Sequence, residues 1–358
     1  MAKWTTVAAM AALLLPVAPM DTAAAAEAGY APPSQAGCAA GALAAGAAAT
    51  FAVPGWPDRD YDLSLPASFH CGTLLPVLIV LHGGGGNKDN MRRLACPGGD
   101  LASPGCLDRI ALAAGMAVVF PNGSDAPGAR LLSRGGIRTW NAGGGRDGAV
   151  CVSGEACKRG VDDVAYVRAL LADVGARIAV DPKRVFATGF SNGAALAHRL
   201  ACEAADLFAA VAPVSGENQA ALAACAPSRP VAMLDVHGTG DRCWPYAGGA
   251  GGCIASGRYV SVAETLAGWA ARNGCHAQAQ RTTLPPRPGI ADGTEVVRHD
   301  YAGCAAEGAL QHLEVVGNGH FWPDGHAYAR PALLGGTMSR QLDTGGAIVD
   351  FLGAHARP

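Results

Sequence analysis

In Gly189-Phe190-Ser191-Asn192-Gly193 a serine stands between two glycines at the GxSxG spacing. That spacing suits a nucleophile on a strand-to-helix turn too tight for flanking side chains. The run Val185-Phe186-Ala187-Thr188 before it reads as a strand, and Ala194-Ala195-Leu196-Ala197-His198-Arg199-Leu200 after it reads as a helix. A serine hydroxyl is a weak nucleophile at its ordinary pKa. It needs a base to take its proton, an acid to orient that base, and donors for the oxyanion that forms on the attacked carbonyl.

Each partner has a candidate in the order Ser, Asp, His, the chain order of a triad in an α/β-hydrolase. In Val231-Ala232-Met233-Leu234-Asp235-Val236-His237-Gly238-Thr239-Gly240-Asp241, Asp235 falls within a β-rich run and Asp241 beyond its carboxyl end. Ligand-facing groups of open α/β sheets lie outside the carboxyl ends of strands, which selects Asp241 as the orienting acid and leaves Asp235 structural. Leu313-Glu314-Val315-Val316-Gly317-Asn318-Gly319-His320 reads as a strand, a glycine turn and then the base, His320; His312 and His326 compete for that role. One oxyanion donor is expected from the backbone of Asn192 and the second from Gly84, in the glycine loop His82-Gly83-Gly84-Gly85-Gly86 after the strand Val77 to Leu81. That loop lacks the Gly-Lys-Ser/Thr ending of a phosphate cradle. No CxxC occurs and the histidines do not group with cysteines at ligand spacing, so neither a metal nor another cofactor is expected.

The elements that must hold these residues follow from the apolar pattern. Short β-rich runs at Val77 to Leu81, Met116 to Phe120, Val185 to Thr188, Ala209 to Val214, Val231 to Val236 and Leu310 to Val316 alternate with helical segments. The helical segments are Val161 to Val174, Ala194 to Glu203, Val260 to Asn273 and Thr344 to Ala354. This alternation predicts a mostly parallel sheet with helices on both faces, the α/β class. Half of the residues are hydrophobic and 16% are charged, which excludes a disordered chain; a net charge of −2 gives no footprint for nucleic acid or an anionic membrane.

Residues 1–26 read as a cleavable export leader: Lys3, an apolar stretch broken by Pro16, then Ala24-Ala25-Ala26. The stretch is shorter than the ~20 residues of a membrane span. Residues 27–50 form an Ala/Gly/Pro-rich arm, and residues 51–358 a single catalytic domain. All twelve cysteines follow the leader, as expected for an extracellular protein in an oxidising compartment. Pairing nearest neighbours gives Cys38–Cys71, Cys96–Cys106, Cys151–Cys157, Cys202–Cys225, Cys243–Cys253 and Cys275–Cys304.

Seven ordered motifs together carry a family resemblance. They are Leu81-His82-Gly83, Trp140-Asn141-Ala142-Gly143, Val161-Asp162-Asp163-Val164, Val180-Asp181-Pro182-Lys183-Arg184-Val185, the Ser191 pentapeptide, His237-Gly238-Thr239-Gly240-Asp241 and Gly319-His320-Phe321-Trp322-Pro323. The chain resembles the secreted polyhydroxybutyrate depolymerase and feruloyl esterase family, related to the family 1 carbohydrate esterases. The resemblance implies the triad Ser191, Asp241 and His320 and an oxyanion hole at Asn192 and Gly84. Gly84 departs from the cysteine of many members, but the role belongs to the backbone. It also implies substrate-lining roles for Trp322 and Trp140, with Trp244 close enough to Asp241 to border the same cleft.

The expected activity is hydrolysis of a polymeric or oligomeric ester through an acyl-enzyme. Polyester (a polyhydroxyalkanoate or an aromatic polyester) is placed first, and feruloyl or acetyl-xylan ester of plant polysaccharide is the alternative. A serine peptidase would want a pocket for the peptide amine and an extra domain, and a non-catalytic binding protein would not need every triad position filled.

Overall fold

A computed structural model of the chain describes residues 43–125, 137–144, 151, 154–219, 224–251, 257–329 and 331–358. The proposed leader and most of the arm fall outside these residues. Ten strands form one sheet: β1 (Ala48–Val53), β2 (Trp56–Ser64), β3 (Leu75–Leu81), β4 (Ala117–Pro121), β5 (Val180–Phe190), β6 (Ala210–Val214), β7 (Ala232–Gly238), β8 (Ala279–Thr283), β9 (Glu295–Tyr301) and β10 (Leu310–Val316). Their spatial order is β1-β2-β4-β3-β5-β6-β7-β10-β9-β8. The six central strands, from β4 to β10, pair in parallel. A pair of antiparallel strands extends each edge.

The six central strands are those that the apolar runs predict. β3, β4 and β6 are buried along their whole length and are continuous apolar stretches, whereas β5 opens on a polar half, β7 carries Asp235 and His237, and β10 carries Gln311, His312 and Glu314. The edge strands carry no such run. β8 reads Ala-Gln-Arg-Thr-Thr and is largely exposed, and β2 mixes charged residues with its buried half. β1 begins at Ala48, ahead of the Phe51 expected for the folded body, because small residues paired in register with β2 leave no apolar signature.

Helices α1 (Lys88–Leu94), α2 (Leu107–Ala113) and α6 (Thr344–Gly353) cover one face. There Met91, Leu94, Leu107, Ile348, Val349 and Leu352 pack with Leu78 and Val80 of β3. The alternate residues of β3, Val77, Ile79 and Leu81, are equally buried but lie outside that cluster, as do Leu170 of α3 (Asp163–Arg177), Leu196 of α4 (Asn192–Glu203) and Trp269 of α5 (Val262–Arg272). This strand alternation splits the core into two layers, one on each face of the sheet. Side-chain caps from Asn87, Asp162 and Asp343 start α1, α3 and α6, and Ser261 with Glu264 forms a capping box on α5.

Disulfides join Cys96 to Cys106, Cys151 to Cys157, Cys202 to Cys225 and Cys275 to Cys304, each an expected pair. The other two expected pairs include Cys38 and Cys253, which lie outside the described residues. Among the described residues no helix is long and apolar enough to cross a membrane.

Leu78 lies at the centre of the sheet with no solvent exposure, whereas Leu74, just before β3, is 49% exposed. Leu78→Ala is expected to lower the unfolding free energy by about 2–5 kcal/mol. Leu74→Ala should stay within ~0.5 kcal/mol of the parent. Urea denaturation of both variants measures the contrast.

Candidate active site

The carboxyl ends of the parallel strands β3, β5, β7 and β10 open onto one rim, and each is followed by a residue singled out above. At the end of β5 the chain turns through Ser191 with φ 56° and ψ −115°, in the left-handed half of backbone space, and enters α4 at once. Ser191 N–H donates to Val214 O of β6 at 2.9 Å, which fixes the turn against the neighbouring strand. The glycines beside it are obligatory for packing. A Cβ on Gly193 would collide with the carbonyl oxygens of Leu81 and His82, and one on Gly189 with the Gly193 backbone.

Ser191 Oγ lies 2.9 Å from His320 Nε2, and His320 Nδ1 lies 2.7 Å from Asp241 Oδ2. The three residues are at most 8% exposed, and the ring of Phe190 lies 4.8 Å from that of His320. The loops bearing the acid and the base are tied together. Gly317 N–H donates to Thr239 Oγ1, Gly240 N–H to Asn318 O, and the buried Asn318 side chain donates to Gly319 O and Phe321 O. Gly238 has no room for a side chain because Asn318 presses its backbone against it.

The acceptor capacity of Asp241 is filled. Oδ1 accepts from the backbone N–H groups of Cys243 (2.8 Å) and Trp244 (2.9 Å), while Oδ2 faces His320 and, at 3.4 Å, His237 Nε2. Burial alone would raise this carboxyl. The charge on His320 and the hydrogen bonds from both imidazoles outweigh burial and hold it well below the ordinary carboxylate range. Asp235 and His312, the competitors considered above, are buried elsewhere and face each other, with His312 Nδ1 2.6 Å from Asp235 Oδ2.

The glycine loop after β3 lies against the start of α4. A Cβ on Gly84 would come within 3.4 Å of Asn192 Cβ, so the two backbones run side by side next to Ser191. The amides of Gly85 and Gly86 are taken by Arg138 O and Gly83 O. His82 anchors the loop: Gly123 N–H donates to Nε2, so the ring proton sits on Nδ1 and donates to Gly83 O. Burial lowers this imidazole to about 3, and it stays neutral.

The three tryptophans expected at the cleft are buried: Trp140 at 0%, Trp322 at 1% and Trp244 at 5% exposure. Trp322 belongs to the core cluster on the α1, α2 and α6 face. Trp140 Nε1–H donates to His82 O, and its backbone is gripped by the Asn192 side chain, whose Oδ1 accepts from Trp140 N–H and whose Nδ2 donates to Trp140 O. Asn141, next along, donates its N–H to Asp163 Oδ2 and accepts at its carbonyl from Arg199, while Arg59 pairs with the other Asp163 oxygen at 2.6 Å. Four of the motifs are thus one buried polar lattice beside the glycine loop that follows β3. Trp244 contributes through its backbone, and its ring packs on Tyr259. The aromatic residue that is exposed here is Tyr328, at 47%; its hydroxyl donates to His320 O and its ring lies edge-on to Phe190. No motif marks it, because only the fold of the segment after His320 brings it there.

Among the described residues, three groups of side chains come close enough to suggest metal ligands: Cys96, Cys106 and Asp108; Asp241, Cys243 and His320; and His198, Glu217 and Asp235. Cys96, Cys106 and Cys243 are bound in disulfides. Trp269 Nε1–H donates to His198 Nδ1, which leaves the ring proton on Nε2, the atom facing Asp235, with no lone pair for a cation.

No family model matches the chain. NocK of Nocardia uniformis subsp. tsuyamanensis, which carries an esterase assignment, is 31% identical over 289 residues, spanning 77% of this chain and 74% of its own. Feruloyl esterase C of Emericella nidulans is 29% identical over 249 residues, 69% of this chain and 72% of its own. The acetyl xylan esterase of Aspergillus awamori superposes with a TM-score of 0.50 at 16% identity, covering 77% of this chain and 94% of that one, and so shares the fold.

Asn192→Ala is expected to lower stability by about 1–3 kcal/mol, because the Trp140 N–H and carbonyl are buried and would lose both partners. Thermal or urea unfolding measures it, and an unchanged midpoint would contradict the clamp.

Proposed function

This chain belongs to the α/β-hydrolase esterase family that includes the feruloyl esterases, and from that premise we propose a serine-dependent ester hydrolysis at the Ser191, His320 and Asp241 cluster. The observation that carries the proposal is the continuous contact from hydroxyl to imidazole to carboxylate. His320 Nε2 takes the Ser191 proton as Oγ bonds to the ester carbonyl carbon. The N–H groups of Asn192 and Gly84 receive the resulting oxyanion. The imidazolium gives its proton to the leaving alcohol as the C–O bond breaks. A water, deprotonated by the same imidazole, then releases the acid. Asp241 keeps the Nδ1–H tautomer in place throughout.

For the substrate we favour feruloyl or acetyl ester of plant polysaccharide over polyester, reversing the order given by the motifs. The sequence relatives described above include a feruloyl esterase, and no polyester depolymerase is among them. Tyr328, half-exposed on the segment that carries His320, offers aromatic surface suited to an aromatic acyl group. Trp140, Trp244 and Trp322 take supporting roles behind the cleft in this reading. The disulfides and the leader-like N-terminus support an exported enzyme.

Ser191→Ala should reduce kcat on p-nitrophenyl acetate by at least about 10⁴-fold and abolish labelling by a fluorophosphonate. Methyl ferulate and acetyl xylan should be turned over, with little release from polyhydroxybutyrate. Tyr328→Ala should raise KM for methyl ferulate severalfold more than KM for p-nitrophenyl acetate. Retained activity in Ser191→Ala would remove the mechanism, and preferential polyester release would restore the other substrate.

A further inference from the structure

Asp241 has a second imidazole against it. His237, in β7, is fully buried, and its Nε2 must carry a proton because it donates to the carbonyl oxygen of Trp244 at 2.8 Å. That same N–H lies 3.4 Å from Asp241 Oδ2, the oxygen that His320 uses. On its other side His237 Nδ1 meets Glu217 Oε1 at 2.7 Å, and Glu217 is itself 1% exposed. Trp244 locks the arrangement by giving its own N–H to Asp241 Oδ1. Glu217, His237, Asp241, His320 and Ser191 therefore form one unbroken series of polar contacts, four of the five side chains in it lying on the acid side of the nucleophile.

We propose that His237, held by Glu217, is a positioning residue for the ester hydrolysis: it shares Asp241 with His320 and thereby sets how basic His320 is. The proposal rests on the triad assigned above. A cationic donor on Oδ2 withdraws part of the carboxylate's attraction from the His320 imidazolium and repels that imidazolium directly. Burial pushes His237 toward its neutral form, but its hydrogen bonds to Asp241 and Glu217 and their charges raise it well above an ordinary histidine. The other polar groups around it do not take over that role. Asp235 is engaged by His312, His198 is kept neutral by burial, and Tyr246 presents its ring edge-on at 5.9 Å, with its hydroxyl against His312.

The sign of the effect follows. Without the cation at His237, Asp241 acts on His320 alone, the His320 imidazolium is stabilised, and a higher pH is needed to free the base. His237→Gln keeps an amide donor near Trp244 O and removes the charge. Glu217→Gln removes the anion that holds the His237 proton and serves as a second route if the first variant folds poorly. The test is the pH profile of kcat/KM on p-nitrophenyl acetate for the full chain, with circular dichroism to confirm folding and Ser191→Ala run beside it. Each variant should move the acidic limb upward by about half to one pH unit, roughly a three- to tenfold loss below the limb and far less on the plateau. A uniform loss with the limb unmoved, or a limb displaced downward, overturns the role of His237 while an inactive Ser191→Ala leaves the triad standing. An active Ser191→Ala overturns both.

Discussion

At Ser191 the backbone adopts a left-handed conformation that costs a non-glycine residue about 1–3 kcal/mol, and the surroundings of the cleft are arranged to sustain it. The turn is enforced from three sides. Val214 O of β6 captures the Ser191 amide, the carbonyls of Leu81 and His82 press on Gly193, and Gly216 is shaped to pass the Ser191 carbonyl. The constraint propagates outward. Because Gly193 must meet the end of β3, the glycine loop that follows β3 is brought beside Asn192, and the proposed nucleophile and oxyanion donors share one corner of the sheet. Ser215, at the end of the adjacent strand, is also left-handed and donates its N–H to Val236 O, which carries the same close stacking of strand ends toward Asp241.

Much of this was legible in residue order because parallel strands buried on both faces are dominated by apolar residues, and because ligand-facing groups of such a sheet lie beyond strand carboxyl ends. Both rules select residues without knowledge of contacts: the first found β3 to β7 and β10, the second chose Asp241 over Asp235. The edge strands escaped for the converse reason. β8 and β9 are half-covered or exposed, so residues such as Arg281, Thr283 and Glu295 are tolerated and no continuous apolar run remains. Cysteine pairing by proximity in sequence succeeded for the four described bridges because each spans a short local excursion.

The tryptophans show where motif reading stops. Adjacency to a catalytic residue in sequence implies adjacency in space but not the direction of a ring. In an α/β sheet the residue after a rim residue can point back into the core as readily as into the cleft, and Trp322 does so, packing with the core cluster while its neighbour His320 faces Ser191. Trp140 is buried because its indole N–H satisfies the His82 carbonyl and its backbone satisfies Asn192. Burying a ring with a polar edge requires such partners. Its importance to the site runs through the loop it supports.

Four buried histidines, His82, His198, His237 and His320, separate by the partners that fix their protons. His82 faces a backbone amide on one nitrogen and a carbonyl on the other, and His198 receives an indole N–H; each is thereby assigned one neutral tautomer in a dry setting and has nothing to gain from a second proton. His237 faces carboxylates and a carbonyl and is drawn toward the charged form. His320 differs from all of these. One nitrogen is committed to a carboxylate, and the other meets a hydroxyl that can either donate or accept. Of these four buried rings, His320 is the one whose neighbours are a carboxylate on one nitrogen and a serine hydroxyl on the other, the pairing that the proposed proton transfer would use.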